Sequence, residues 1–253
     1  MRNNGIYILL LVLFFVGCKS PVKKQLTVAV AANVQFAMEE LKNEFEKESN
    51  ILVIIVLGSS GILTAQIEQG APYDVFVSAD TIFPRKLYNA GFAAKPPKIY
   101  ANGVLVLWTA NTGVPLAADL IQSLKAAKKI AIPNPKTAPY GIAAEEVLKC
   151  YKIYDLVKDK LVYGESISQT NMYIISQAAD LGFTAKSVVL SGEMKNKGSW
   201  MEVDSKTYHP IQQAAVLLKH GSAENDDASI KFYNYLYSQA AKNIFKKYGY
   251  LIN

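Results

Sequence analysis

The chain has 253 residues, 51% hydrophobic and 19% charged, enough to bury one large core or two ordinary ones. Its net charge of +6 is carried almost wholly by lysine, arginine occurring only at Arg2 and Arg85. Scattered lysines with so little arginine argue against a nucleic-acid reader and for a solvated surface with some attraction for anions.

The first residues, Met1-Arg2-Asn3-Asn4, precede an apolar run from Ile6 to Val16 and small Gly17. That run is too short to span a bilayer, which takes about 20 residues. A positive start, a short apolar core and a small residue read as an export signal over residues 1–17. Cys18 follows Phe15-Val16-Gly17 directly, in the pattern of a bacterial lipoprotein, whose cysteine is acylated. Residues 18–25 then form a polar tether. The chain is expected to be exported and lipid-anchored to a membrane, facing the periplasm or the exterior. Cys150 is the remaining cysteine, so no intramolecular disulfide is expected. It reads as a small buried hydrophobe near a helix end.

In chain order, Leu26–Ala31 is a short apolar run suited to a buried parallel strand. Residues Val34–Ser49 place Val34, Ala37, Leu41 and Phe45 on one helical face. Strand Ile51–Leu57 leads through the turn Gly58-Ser59-Ser60-Gly61 into a helix over Ile62–Glu68. Strand Asp74–Ser78 follows, then a helix over Thr81–Asn89 capped by Asp80. Further strands are expected at Val104–Trp108, Lys129–Ile132, Leu161–Tyr163, Gly182–Ala185 and His209–Leu218. Helices are expected at Asp119–Ala127, Gly141–Tyr151 and Ser168–Ala179, with one or two more over Ala228–Tyr248. His220, beside Gly221, is expected in a loop. The strand–turn–helix alternation indicates an α/β protein with parallel sheets. About ten strands suggest two lobes, with crossovers near Tyr100–Gly103 and Lys206–Pro210.

Four strand-to-helix junctions are small or carry hydroxyls: Ala31-Ala32-Asn33, Gly58-Ser59-Ser60-Gly61, Ala138-Pro139-Tyr140-Gly141 and Glu165-Ser166-Ile167-Ser168. The first N–H groups of a helix have no intrahelical partner and sit at the positive end of its dipole, so a helix start can hold an anion without a charged side chain. Taken singly, each junction is more simply a helix cap. Gly58-Ser59-Ser60-Gly61-Ile62 also superficially matches a nucleophile elbow, but Ile62 stands where that motif needs its second glycine. A serine hydrolase would need His209 or His220 as base, and no metal-binding or phosphate-loop motif is present.

The segments Leu26–Asn33, Gly58–Gly61, Gln66–Asp80 and Ala240–Tyr250 resemble the periplasmic molybdate-binding proteins of ABC transporters, which have the type II solute-binding fold. The resemblance implies two lobes, residues 26–102 with 209–253 and residues 103–208, each a mostly parallel sheet flanked by helices. It implies a binding protein rather than an enzyme, and molybdate or tungstate as ligand, with sulfate the alternative oxyanion. The metal would be held through its oxygens, with no direct metal ligand and no cofactor. By the resemblance, Asn33, Ser60, Tyr140 and Ile167 bind the oxyanion, Tyr140 and Ile167 through their backbone N–H groups. Ala32 and Ser59 are additional candidates. A tyrosine hydroxyl that some members use falls at Ala185 here, so that contact is expected to be missing. The implied partners are the oxyanion, a membrane permease and, through the lipid, the membrane; no nucleic acid is implied, and the chain is expected to be a monomer.

Overall fold

The computed structural model describes residues 24–111, 116–224 and 226–252. The export signal, Cys18 and the tether up to residue 23 lie outside the described residues. Gln25, the last residue of the expected tether, already pairs with Leu52 in the first strand ladder.

Strand β1 (Gln25–Ala31) passes through a single 3-10 turn, Ala32–Val34, into α1 (Gln35–Ser49). The helix buries Ala37, Met38, Leu41 and Phe45, a stripe one turn apart, and ends at Asn50 with left-handed backbone. Strand β2 (Leu52–Gly58) and α2 (Ser60–Glu68) follow, then β3 (Val75–Val77) and α3 (Ile82–Asn89). Asp80 caps the start of α3, accepting the Phe83 N–H at 3.2 Å. Strand β4 (Lys98–Gly103) then leads directly into β5 (Leu105–Thr109).

The middle of the chain runs α4 (Leu120–Ala126), β6 (Ile130–Pro133), α5 (Pro139–Cys150), α6 (Tyr154–Val157), β7 (Leu161–Gly164), α7 (Ile167–Ile175), β8 (Leu181–Ala185), α8 (Lys186–Val189) and β9 (Ser199–Glu202). Strand β10 (Ile211–Leu217) precedes α9 (Lys219–Glu224), α10 (Asp226–Tyr235) and α11 (Gln239–Lys247).

These strands form two five-stranded sheets with orders β2-β1-β3-β10-β4 and β7-β6-β8-β5-β9. In each sheet the first three strands pair in parallel, and one reversed strand, β10 or β5, pairs antiparallel on both sides. The two sheets thus share one topology. In each, the reversed strand is the one that enters from the other half of the chain. The chain crosses at Val104, between β4 and β5, and returns between β9 and β10. Helices α1 and α11 cover one face of the first sheet, where Phe45, Phe232, Phe245 and Tyr250 pack. The second core centres on Trp108, Ile132, Val147 and Phe183.

Two expectations are corrected. Cys150 ends α5 as expected but is exposed. Helix α5 turns its Ala143, Ala144, Val147 and Leu148 stripe inward, and Cys150 falls outside it. His220 lies in helix α9, not a loop. The stretch Ala228–Tyr248 forms two helices, α10 and α11, within the one or two expected there.

Candidate functional site

The junctions are positioned by strand register. Ala31 and Gly58 are partners at the ends of β1 and β2, so the first two junctions start side by side. Pro133 and Gly164 are likewise partners at the ends of β6 and β7. Because the sheets share one topology, these are equivalent positions, the carboxyl ends of neighbouring parallel strands where α/β folds place ligands.

Contacts across the cleft bring the two pairs together. Gly61 N–H, at the start of α2, donates to the Thr137 carbonyl just before α5, at 2.9 Å. Ser168 Oγ, in the first turn of α7, lies 3.4 Å from Gln35 Oε1 at the start of α1. Ala32 and Ala79 of the first half share an apolar cluster with Tyr140 and Ile167 of the second. The cleft is therefore shut. Asn33, Ser60 and Tyr140 are each 1% exposed and Ile167 4%, while Ala32 and Ser59 are also buried. A separate 740 Å³ cavity at the crossovers, lined by Gly103, Tyr208 and Pro210, contains none of these residues.

The helix caps decide which N–H groups remain. Ser59 Oγ accepts Ile62 N–H at 3.4 Å and Ser166 Oγ accepts Gln169 N–H at 3.3 Å. Gly141 N–H donates to Ala138 O, and Thr170 N–H to Ser166 O. Among the described residues, no hydrogen-bond acceptor is found for the backbone N–H of Ser60, Tyr140 or Ile167. Three buried donors, one in the first lobe and two in the second, are thus left over after capping, whereas buried N–H groups are ordinarily satisfied. Ser60 adds a fourth. Its Oγ accepts Ala79 N–H at 3.0 Å, which leaves the hydroxyl proton to donate.

Asn33 is placed differently. Its Nδ2 donates to Gln213 Oε1 at 3.0 Å and approaches the Tyr250 hydroxyl at 3.4 Å. Its carbonyl accepts from Ser187 Oγ at 2.7 Å and from the Tyr250 hydroxyl at 2.8 Å. The Asn33 amide is therefore engaged within the protein. Sequence reasoning missed this network: Gln213, Tyr250, Tyr100 and Ser187, all buried beneath the junctions. Ala185 closes β8 fully buried, with no hydroxyl at that position. Burial holds the Tyr140 and Tyr100 hydroxyls well above the ordinary value of 10.0, with the neighbouring Tyr250 adding to the effect. These phenols stay neutral donors and acceptors at physiological pH.

No cationic side chain hydrogen-bonds Asn33, Ser60, Tyr140 or Ile167 among the described residues. Arg85 is exposed on α3. Among the described residues there is also no group of three or more His, Cys, Asp or Glu able to hold a bare metal ion. The histidines are engaged elsewhere: His209 Nδ1 lies 2.8 Å from Glu146 Oε1, and His220 Nδ1 lies 3.0 Å from Asp74 Oδ1. An activated serine needs a base within hydrogen-bond reach, and Ser60 Oγ is bonded to Ala79 N–H.

Known proteins share this fold. Residues 26–251 match the bacterial extracellular solute-binding protein family. The chain is 37% identical over 227 residues to the molybdate-binding protein of Azotobacter vinelandii, covering 89% of each. It is 39% identical over 235 residues to that of Rhodobacter capsulatus, covering 90% of this chain and 88% of that one. The solved structure of the Azotobacter vinelandii periplasmic molybdate-binding protein superposes with a TM-score of 0.82 at 37% identity, covering 90% of this chain and 99% of that one. The chain belongs to the bacterial extracellular solute-binding protein family and, within it, to the family of these molybdate-binding relatives.

Proposed function

We propose that the chain captures molybdate, or its congener tungstate, in the cleft between its lobes and delivers it to the permease of an ABC importer. The observation that carries this reading is the set of buried N–H groups at Ser60, Tyr140 and Ile167 that, among the described residues, have neither an acceptor nor a hydrogen-bonded cationic side chain. A dianion in such a place must be stabilised by hydrogen bonds alone, since a buried charge without them is prohibitively costly. Charge-assisted bonds contribute roughly 1.5–3 kcal/mol each, so a handful reaches the sub-micromolar range after ordering costs. The 37% and 39% identities to proteins named for molybdate binding support the choice of ligand.

The oxyanion site consists of Ser60, Tyr140 and Ile167 together with Asn33, whose side-chain amide is taken up by Gln213 and Tyr250 so that it offers its backbone N–H, with Ala32 beside them and Ser59 mainly holding α2 in place. A site made of donors also explains selectivity. A protonated phosphate brings a hydroxyl that needs an acceptor, whereas a fully deprotonated tetrahedral dianion does not. The metal enters as its oxyanion, without direct ligands or a cofactor. The lobes are residues 26–102 with 209–253, and residues 103–208. Residues 1–17 act as export signal and Cys18 as lipid acceptor, so a monomer is tethered at the membrane beside its permease.

Isothermal titration of the mature chain with molybdate, tungstate, sulfate and phosphate tests this reading. Sub-micromolar molybdate and tungstate binding, with sulfate at least about a hundredfold weaker, is the expected result. Tight sulfate binding without molybdate binding overturns the ligand.

A further inference from the structure

Gln213 lies on β10 in the first lobe, and its side chain is fully buried. A glutamine is rarely buried so completely unless its amide is satisfied on both ends. Here the carboxamide oxygen accepts from Asn33 Nδ2 at 3.0 Å and from the Tyr100 hydroxyl at 2.7 Å. The carboxamide nitrogen donates to the Tyr140 hydroxyl at 3.1 Å. Tyr140 belongs to α5 in the second lobe, so this bond spans the cleft. The contact is also sterically confined. A Cβ at Gly103, on the strand beside β10, would stand 2.2 Å from the Tyr140 hydroxyl and 2.4 Å from Gln213 Nε2. The crossover strand, β10 and α5 thus meet at one point with no spare room.

We propose that Gln213 is a positioning residue for anion capture, fixing Asn33 of one lobe and Tyr140 of the other relative to each other through the two ends of a single amide. The inference rests on reading the cleft as an oxyanion site. Tyr140 faces that site with its backbone N–H and faces Gln213 with its hydroxyl. Holding the hydroxyl therefore holds the first turn of α5, and with it the N–H aimed at the ligand. Loss of the bond removes no proposed ligand group but lets the second lobe, and with it the Tyr140 N–H, shift against the first. Binding weakens through faster release rather than slower capture, because the contact forms only with the lobes together.

The test is a double-mutant cycle on the full mature chain with molybdate as probe, using Gln213→Leu and Tyr140→Phe. Tyr140→Phe keeps the ring and the backbone N–H and removes the hydroxyl that accepts from Gln213 Nε2. Each single variant is expected to raise the molybdate Kd about tenfold, chiefly through the dissociation rate. The double variant is expected to be no weaker than the worse single one. A merely structural role lowers the melting temperature of the ligand-free protein but leaves Kd and dissociation rate unchanged, and that outcome overturns the proposal. Strictly additive losses overturn it as well, since they mean that the two residues act separately. Should Gln213→Leu fail to fold, an unchanged Kd and dissociation rate in Tyr140→Phe are sufficient to reject it. Normal molybdate binding by the unaltered chain with unaffected variants sinks the positioning role alone; absence of anion binding by the unaltered chain sinks the site and this role together.

Discussion

At the scale of single residues, the account turns on donors rather than charges. Ser60 supplies two, its N–H and a hydroxyl whose oxygen is already occupied by Ala79 N–H. Ser60→Ala removes the hydroxyl, and the lost charge-assisted bond predicts about a tenfold rise in the molybdate Kd or more. Titration calorimetry on the variant checks this, with its melting temperature as a control for folding; an unchanged Kd places the ligand elsewhere. The helix starts that carry Ser60, Tyr140 and Ile167 were legible in sequence because small and hydroxyl residues follow a strand there, whereas the choice of these three residues came from the family resemblance. Gln213 and Tyr250 were not. Their partner Asn33 lies 180 and 217 residues away, and neighbouring glutamines before an alanine pair look like a half-exposed strand. The engagement of the Asn33 amide was hidden for the same reason. Cys150 was misjudged because helix periodicity does not fix where a helix's last turn meets solvent.

At the scale of elements, the helix starts must be rigid for leftover N–H groups to act as a site. Ser166 caps α7 by accepting Gln169 N–H and also accepts Thr170 N–H with its carbonyl. Replacing a serine N-cap by alanine costs about 1 kcal/mol. Ser166→Ala is therefore expected to lower stability by about that amount in denaturant unfolding. Molybdate binding should weaken as well, because Ile167 is the first residue of the loosened turn. Loss of stability with no change in affinity would separate α7 from the site. Elements with strong patterns were the readable ones. Strand β2 is a continuous apolar run, β1 and β10 are apolar apart from Gln25, Thr27, Gln212 and Gln213, and α1 carries a clear stripe. Strand β4 instead has the sequence KIYANG and β9 the sequence SWME, both half-exposed edge strands whose identity depends on the neighbour that pairs with them. Helix α8 is a single turn, too short for periodicity to register.

At the scale of the whole molecule, two sheets of one topology are joined by two crossovers, and Asn33, Tyr100, Tyr140, Gln213 and Tyr250 form a buried polar interface beneath the junctions. Tyr100, Tyr140 and Tyr250 share that interface, and burial is the leading cause that raises each above the ordinary value of 10.0. The sign of the pH dependence follows. Above pH 10.0 the unfolded chain releases phenolic protons that the folded chain retains, so stability falls as pH rises from there, while below it these groups contribute no pH dependence. Denaturant melts from pH 8 to 11 check this: a flat profile to about pH 10 and a decline beyond are expected, and a decline confined to the region below pH 9 contradicts it. Whether uncharged donors at the helix starts of both lobes replace the hydration shell of a dianion is decided by a crystal structure of the mature chain grown with molybdate, with molybdenum located by its anomalous signal. One metal peak is expected in the closed cleft, with its oxygens within about 2.7–3.2 Å of the Ser60, Tyr140 and Ile167 nitrogens. A peak outside the cleft, or one whose oxygens bond to lysine side chains instead, contradicts it.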